Sequence, residues 1–293
     1  MSHETRVLQL APESAELLGQ RLSAGGFIFR AVPYAKYSYS KSGIVTTYYN
    51  SEKLVLQGSD LDIFVEQYLS DLNAHIKKTI PDDERIGSDE AGKGDYFGPL
   101  VVAAAFVAKS EIARLRKIGV TDSKQLSDET IARLAGALES SVPHSIIVMN
   151  PAEYNERHRA VGNVNKMLGE LHGQAIINIL PQTDCRRVLT DQFGDISYVR
   201  AGLGQYAKEI ELKVAPRAEE HVAVAAASIL ARNAFVEGIK KCSDDCGIDL
   251  PKGAGDPVEK IIPKVAAVLG RDNLKNIAKV HFKTTEKILD RLF

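Results

Sequence analysis

Between residues 27 and 60 apolar and polar side chains take turns, "FIFRAVPYAKYSYSKSGIVTTYYNSEKLVLQGSD", the period of half-buried strands. Breaks at Pro33, "KSG" and "NSE" divide the run into two or three antiparallel strands. Before it, "HETRVLQLAPESAELLGQRLSAGG" reads as a short strand and a helix from about Ala11 that stops at "AGG". After it, "LDIFVEQYLSDLNAHIKKT" restores helical spacing. Residues 1–80 therefore predict a small α/β domain of their own, and the polar run "IPDDER" supplies a linker at residues 81–85.

The rhythm then changes. Over residues 86–293, "RIGSDEAG", "PLVVAAAFVA" and "PHSIIVMN" read as strands, and "NVNKMLGELHGQAIINIL" as a helix. "CRRVLTDQFGD" is a buried strand ending in acid, and "HVAVAAASILARNAFVEGIKK" is an alanine-rich helix. "DPVEKIIPKVAAVLG" and "TTEKILDRLF" have amphipathic helical spacing. Successive strands followed by strand–helix alternation imply an α/β domain with a mixed sheet flanked by helices.

Composition narrows the class without naming a partner. The chain has 293 residues, 44% hydrophobic, enough for two modest cores. Its 37 basic and 38 acidic residues nearly cancel, which still permits a local basic groove for phosphate. Three cysteines, Cys185, Cys242 and Cys246, cannot all pair and fit a reducing compartment. Cys242 and Cys246 sit four apart, and two buried thiols explain them better than a zinc site. No run reaches about 18 uninterrupted apolar residues, so the expectation is a cytoplasmic protein without a membrane partner, acting as a monomer.

The chemistry-bearing residues are acids. Asp89 and Glu90 fall where a strand runs out into "AGKGDYFG". In a regular strand they would point to opposite faces, so convergence requires a bend at the strand end. Taken alone the pair also suits a solvated turn. Asp191 ends an apolar strand, at the edge where open α/β sheets hold ligands, although a turn acid would look the same. Glu219 opens the alanine-rich helix, where an acid also serves as a cap, and Glu220 beside it competes for any role. Oxygen donors without histidine suit Mg2+ or Mn2+. Two such ions about 3.5–4 Å apart serve phosphodiester cleavage.

Taken together, "GSDEAGKGDYFGPLVVAA", "DSKQLSD", "LTDQFGD", "RAEEHVAVAAASILAR" and "AKVHFKTTEK" resemble the type 2 ribonucleases H, and more closely their HIII branch. The resemblance spans nearly all of residues 84–293 in order, and "YYNSEKLVLQG" is similar to the branch's extra domain, likened in fold to the TATA-box-binding protein. It implies an RNase H-like fold and metal-dependent endonucleolytic cleavage of the RNA strand in RNA/DNA hybrids. The family's carboxylates map onto Asp89, Glu90, Asp191 and Glu219, holding two Mg2+ or Mn2+ ions. The loop Gly92, Lys93 and Gly94 aligns with the family loop that meets ribose 2′-hydroxyls, where bare backbone can approach the minor groove.

Further substrate contacts follow from the same resemblance. Ser123 and Lys124 precede a helix beginning near Ser127 and would hold a phosphate; a surface cap looks alike in sequence. Asn163 and Asn165 in "GNVNK" resemble an HIII motif, with turn formation as the alternative. Lys283 in "HFKTTEK" adds a cation, and His281 beside it is either a core histidine or a proton-transfer group. In the first domain Tyr34, Tyr37, Tyr39, Tyr48 and Tyr49 mix with Arg30, Lys36, Lys41 and Lys53; they either pack or form a platform for a hybrid backbone. Two rival functions remain at this level: a junction-specific ribonuclease HII, against which Lys93 in place of arginine argues, and a non-catalytic hybrid-binding protein, which would not need four acids.

Overall fold

The computed structural model describes residues 4–70, 72 and 82–289. The chain divides into two units, Met1–Thr79 and Ile80–Phe293. In the first, strands β1 (Glu4–Gln9), β2 (Ile28–Arg30), β3 (Ala35–Lys41), β4 (Ile44–Tyr49) and β5 (Lys53–Gly58) form one sheet of order β1-β5-β4-β3-β2. All neighbours are antiparallel. The alternating run thus yields four strands where two or three were expected, because each of its three breaks is a separate turn. Leu8, Leu54, Tyr48 and Tyr37 stand opposite one another across four strands, so they share one face. Helices α1 (Pro12–Ala24) and α2 (Leu61–Leu69) close that face through Ala15, Leu18, Leu22, Leu61 and Phe64. The predicted helix from residue 61 is described to Leu69; its expected continuation to residue 79 lies largely outside the described residues.

The tyrosines divide accordingly. Tyr37, Tyr39 and Tyr48 belong to this core, and the hydroxyls of Tyr37 and Tyr48 donate to the carbonyls of Ala15 and Leu10. Tyr34, in the turn before β3, is 86% exposed, and the edge-strand residues Ile28 and Phe29 are exposed as well. Most of the supposed aromatic platform is therefore core packing.

The second unit holds strands β6 (Arg85–Ala91), β7 (Leu100–Val107), β8 (His144–Met149), β9 (Arg187–Asp191) and β10 (Glu211–Ala215) in the order β10-β9-β6-β7-β8. The pairs β6–β7 and β7–β8 are antiparallel, whereas β9 runs parallel to both β6 and β10. Its helices are α3 (Ile112–Ile118), α4 (Asp128–Glu139), α5 (Pro151–Val161), α6 (Val164–Ile179), α7 (Ile196–Leu203), α8 (Val222–Cys246), α9 (Asp256–Leu269) and α10 (Lys283–Leu289). Alternate residues of β7 enter two cores: Val101, Ala103 and Ala105 pack with α8 and α4, and Leu100, Val102 and Ala104 pack with α6 and α7. This is the expected mixed sheet covered on both faces.

The alanines of α8 have a specific purpose. A Cβ on Gly87 would lie 2.2 Å from the backbone carbon of Ala223, so helix and central strand touch through their main chains. The length and hydropathy of α8 would also suit a membrane span, but 67% of its most apolar window is buried in this unit.

The segment expected to be a linker is pinned instead, and β6 already begins at Arg85. Asp82 Oδ1 accepts from the Val222 amide at 2.7 Å, and both its oxygens pair with Arg116. Asp83 receives two hydrogen bonds from the buried Arg85, at 2.5 and 2.7 Å, and one from Arg187. Chiefly through the Arg85 hydrogen bond, the Asp83 carboxyl is lowered to about 2. A carboxyl lowered in the fold adds stability above its ordinary value near 3.8, and that stability is lost as pH falls toward 2. Asp83→Asn should destabilise the protein at pH 7 by less than the roughly 3–5 kcal/mol lost when a fully buried pair is broken, since the Asp83 side chain is 34% exposed. It should also flatten the decline of stability between pH 4 and 2, as read by urea unfolding across that range.

Candidate active site

Strand β6 pairs with β9 only through Ser88, so beyond it the two strands part at the end where β9 reaches Asp191. A cleft of about 380 Å³ opens there, lined in part by Asp89, Glu90, Gly92, Lys93, Gly94, Lys124 and Asp191. The bend expected to bring Asp89 and Glu90 together is absent, because β6 stays regularly paired with β7 through Ala91. The two carboxylates leave on opposite faces: Asp89 is buried on the side of Ser228 of α8, which lines the cleft with it, and Glu90 Oε2 lies 3.2 Å from His172 Nε2 of α6. Both reach the cleft because the neighbouring strand ends, with no need for a bend.

Glu219 stands elsewhere than expected. Arg217, with φ at 58°, ends the chain's extended run, and Ala218–Glu220 form a separate 3-10 turn before α8 starts at Val222. Glu219 is thus outside the first turn of α8, whose cap is the buried His221 accepting from the Ala223 amide. The turn buries Glu219 and sets it against Asp191, while Glu220 is exposed and its carbonyl accepts from Arg116.

The electrostatics record crowded acids. Burial first, then the charges of Glu90 and Asp191, pushes Asp89 well above the ordinary carboxylate range. Burial and the neighbouring Glu219 raise Asp191 to about 6, against the pull of the Ala218 amide on its Oδ1. Glu219 Oε2 is buried without a hydrogen-bond partner. Lys124 Nζ lies 3.4 Å from Glu219 Oε1. Burial opposes the Lys124 charge, but Glu219 and Asp89 outweigh it, and the ammonium is raised. Among the described residues no three acidic, histidine or cysteine side chains are already gathered at coordination spacing. Even so, an orphaned buried oxygen and mutually repelling carboxylates are what a hard divalent cation relieves, so the donors fit one.

Other expected contacts separate into those at the cleft and those away from it. Lys93 is engaged: its Nζ donates to the Phe193 carbonyl at 3.1 Å and lies 3.9 Å from Glu90 Oε1. The Ser123 hydroxyl is buried against Ser228 at 2.8 Å, a tie between loop and helix that leaves it little for a phosphate. Asn163 caps α6, its side chain accepting from the Asn165 and Lys166 amides. Neither asparagine lines the cleft, nor does Lys283, which opens α10. His281 stacks on His158, with centroids 4.0 Å apart, also outside the cleft lining. Cys185, Cys242 and Cys246 are buried free thiols. Sequence reasoning overlooked Ser228, Arg232 and His172. The signal for the last was a lone histidine among the apolar residues of α6.

The two loop glycines have different causes. Gly92 has φ at +87°, and a Cβ there would lie 2.2 Å from the Pro99 carbonyl oxygen, so the fold itself demands glycine. At Gly94 a Cβ would meet nothing within 4 Å, so the fold does not. Gly92→Ala should therefore cost at least about 1–2 kcal/mol for the left-handed backbone alone. Gly94→Ala should stay within about 0.5 kcal/mol of wild type in the same urea unfolding experiment.

Comparison with known proteins places this geometry. The family profile described as Ribonuclease HII matches residues 86–285. A ribonuclease HIII of Protochlamydia amoebophila is 38% identical, the match covering 95% of this chain and 94% of the relative. The crystal structure of Bst-RNase HIII in complex with Mn2+ superposes with a TM-score of 0.68 and 32% identity, over 98% of this chain and 99% of that one. The ribonuclease H2 of Pyrococcus horikoshii OT3 superposes with a TM-score of 0.60 at 26% identity, over 71% of this chain and 98% of its own. The chain belongs to the type 2 ribonuclease H family, on its ribonuclease HIII branch.

Proposed function

We propose that this endoribonuclease H cleaves the RNA strand of RNA/DNA hybrids by phosphodiester hydrolysis, with Mg2+ or Mn2+ held by Asp89, Glu90, Asp191 and Glu219. The cut leaves a 3′-hydroxyl and a 5′-phosphate. The observation that carries this reading is the cleft lined by Asp89, Glu90 and Asp191 from β6 and β9, with Glu219 from the turn before α8 buried against Asp191. Divalent ions held there would supply positive charge to the phosphodiester as it is cleaved. The protein's own groups do the rest. The Glu90 and Ala218 amides donate to Oδ1 of Asp89 and of Asp191 and help fix both carboxylates in place. Lys124, with its side chain 74% exposed, stands ready to meet a phosphate oxygen at the rim. Gly94 leaves bare backbone for a ribose 2′-hydroxyl, the group that tells RNA from DNA.

Asp191→Asn and Glu219→Gln should each abolish cleavage at saturating Mg2+ while hybrid binding persists, and Glu220→Gln should retain most turnover. In the absence of divalent ions Asp191→Asn should raise Tm, because it removes one of the repelling carboxylates. Cleavage mapping on end-labelled RNA/DNA, RNA/RNA and single-ribonucleotide duplexes, with and without Mg2+, tests the reading. Cleavage by chelated protein, or equal turnover by Glu219→Gln and wild type, would remove it.

We further infer that the first unit adds substrate contacts through exposed side chains, Ile28 and Phe29 on the edge strand and Tyr34 in the turn before β3, which are 70%, 58% and 86% exposed. Phe29→Ser combined with Tyr34→Ser should raise the Kd for hybrid several-fold without changing turnover at saturating substrate, in a gel-shift and steady-state assay pair. Unchanged affinity would assign those side chains no part in binding.

A further inference from the structure

His172 has no exposed surface, yet both its ring nitrogens are used. Nδ1 lies 3.0 Å from Ser88 Oγ, which is itself 2.8 Å from Thr190 Oγ1. Nε2 lies 3.2 Å from Glu90 Oε2. A carboxylate only accepts, so Nε2 carries a proton in this contact. In the imidazole tautomer that results, Ser88 donates to Nδ1 and accepts from Thr190, giving one directed chain from β9 through β6 and α6 to Glu90. The ring also stacks on Phe193, with centroids 4.7 Å apart and planes 15° from parallel. The carbonyl of Phe193 accepts from Lys93, whose Nζ is 3.9 Å from the other Glu90 oxygen, Oε1.

A core histidine needs its nitrogens satisfied, and a hydroxyl or carbonyl would do. Here one nitrogen is spent on a carboxylate of the cleft and the other on Ser88, which links it to Thr190, so that both strands carrying the acids are tied in. We propose that His172 is a positioning residue for the divalent-ion site: it holds Glu90 Oε2 and so orders the Glu90 carboxylate at the cleft. This rests on the function proposed above. Glu90 has several rotatable bonds and leaves a strand edge that β9 no longer covers, so without the clamp its carboxylate would have to be ordered by the ion itself. Groups that orient ligating carboxylates in this way typically change metal affinity roughly 10–100-fold when removed.

The test uses the full chain, freed of divalent ions, with Mn2+ binding measured by titration calorimetry and hybrid cleavage followed across Mn2+ concentrations. Two polar substitutions separate the nitrogens. The amide of His172→Gln reaches where Nε2 stands, whereas that of His172→Asn reaches only the Nδ1 position. His172→Gln should bind Mn2+ within about threefold of wild type, and His172→Asn should bind roughly 10–100-fold more weakly. The Mn2+ concentration for half-maximal activity should rise by the same factor in His172→Asn, with KM for hybrid unchanged. Equal behaviour of the two variants, whether both like wild type or both impaired, would overturn the assignment and leave His172 a packing residue. Glu90→Gln is the control. If it loses Mn2+ binding and His172→Asn does not, the positioning role fails alone; if Glu90→Gln binds Mn2+ like wild type, the metal reading falls and takes the inference with it.

Discussion

Like charges in a partly buried cleft repel, and most of the second unit's polar architecture answers that repulsion. Asp89 and Asp191 sit where burial and neighbouring acids both disfavour ionisation. A lone protein fold would minimise such an arrangement. This one fixes it, with Ser228 behind Asp89, the Ala218 amide on Asp191 and His172 on Glu90. Each support comes from an element whose placement is set by apolar packing: α8 and the turn before it on one side, α6 on the other. The cores therefore do more than stabilise the unit, since they oppose the tendency of the acids to move apart.

A second polar network guards the same region from behind. Asp82 and Asp83 tie the entry of β6 to Arg116, to Arg187 and to the first amide of α8. Arg85 begins the strand that carries Asp89 four residues later, and it is buried against Asp83. The beginning of β6 and the beginning of α8 are thus held to each other by charge-assisted hydrogen bonds, the stronger kind. Gly87 and Ala223 then allow main-chain contact just beyond.

Long apolar segments were legible in the sequence: β7, β8, α6 and α8 all carry enough apolar residues to declare themselves. Short or polar ones were not. Strand β10 has five residues, and α5 is a helix whose residues "PAEYNERHRAV" are mostly polar. The acids were legible because adjacent carboxylates and an acid at a strand end are local signals. The position of Glu219 was not, since it depends on Arg217 adopting a left-handed backbone and on Asp82 fixing where α8 starts. The role of His172 was out of reach for a related reason. Its meaning lies in Ser88 and Glu90, 84 and 82 positions away, and no spacing rule connects them.

The sheet order has a consequence for biosynthesis. Strand β6 lies between β7, its near neighbour in the chain, and β9, which is made about a hundred residues later. Its main-chain contact with α8 waits for a segment later still. While the ribosome is still short of β9, a nascent chain can pair β6 with β7 and β7 with β8, but Asp89 has neither Ser228 nor Asp191 beside it. A fold rich in such distant contacts forms slowly. The nuclease centre is therefore silent through most of translation, and a truncated product ending before α8 would carry exposed strand edges without carrying a working blade.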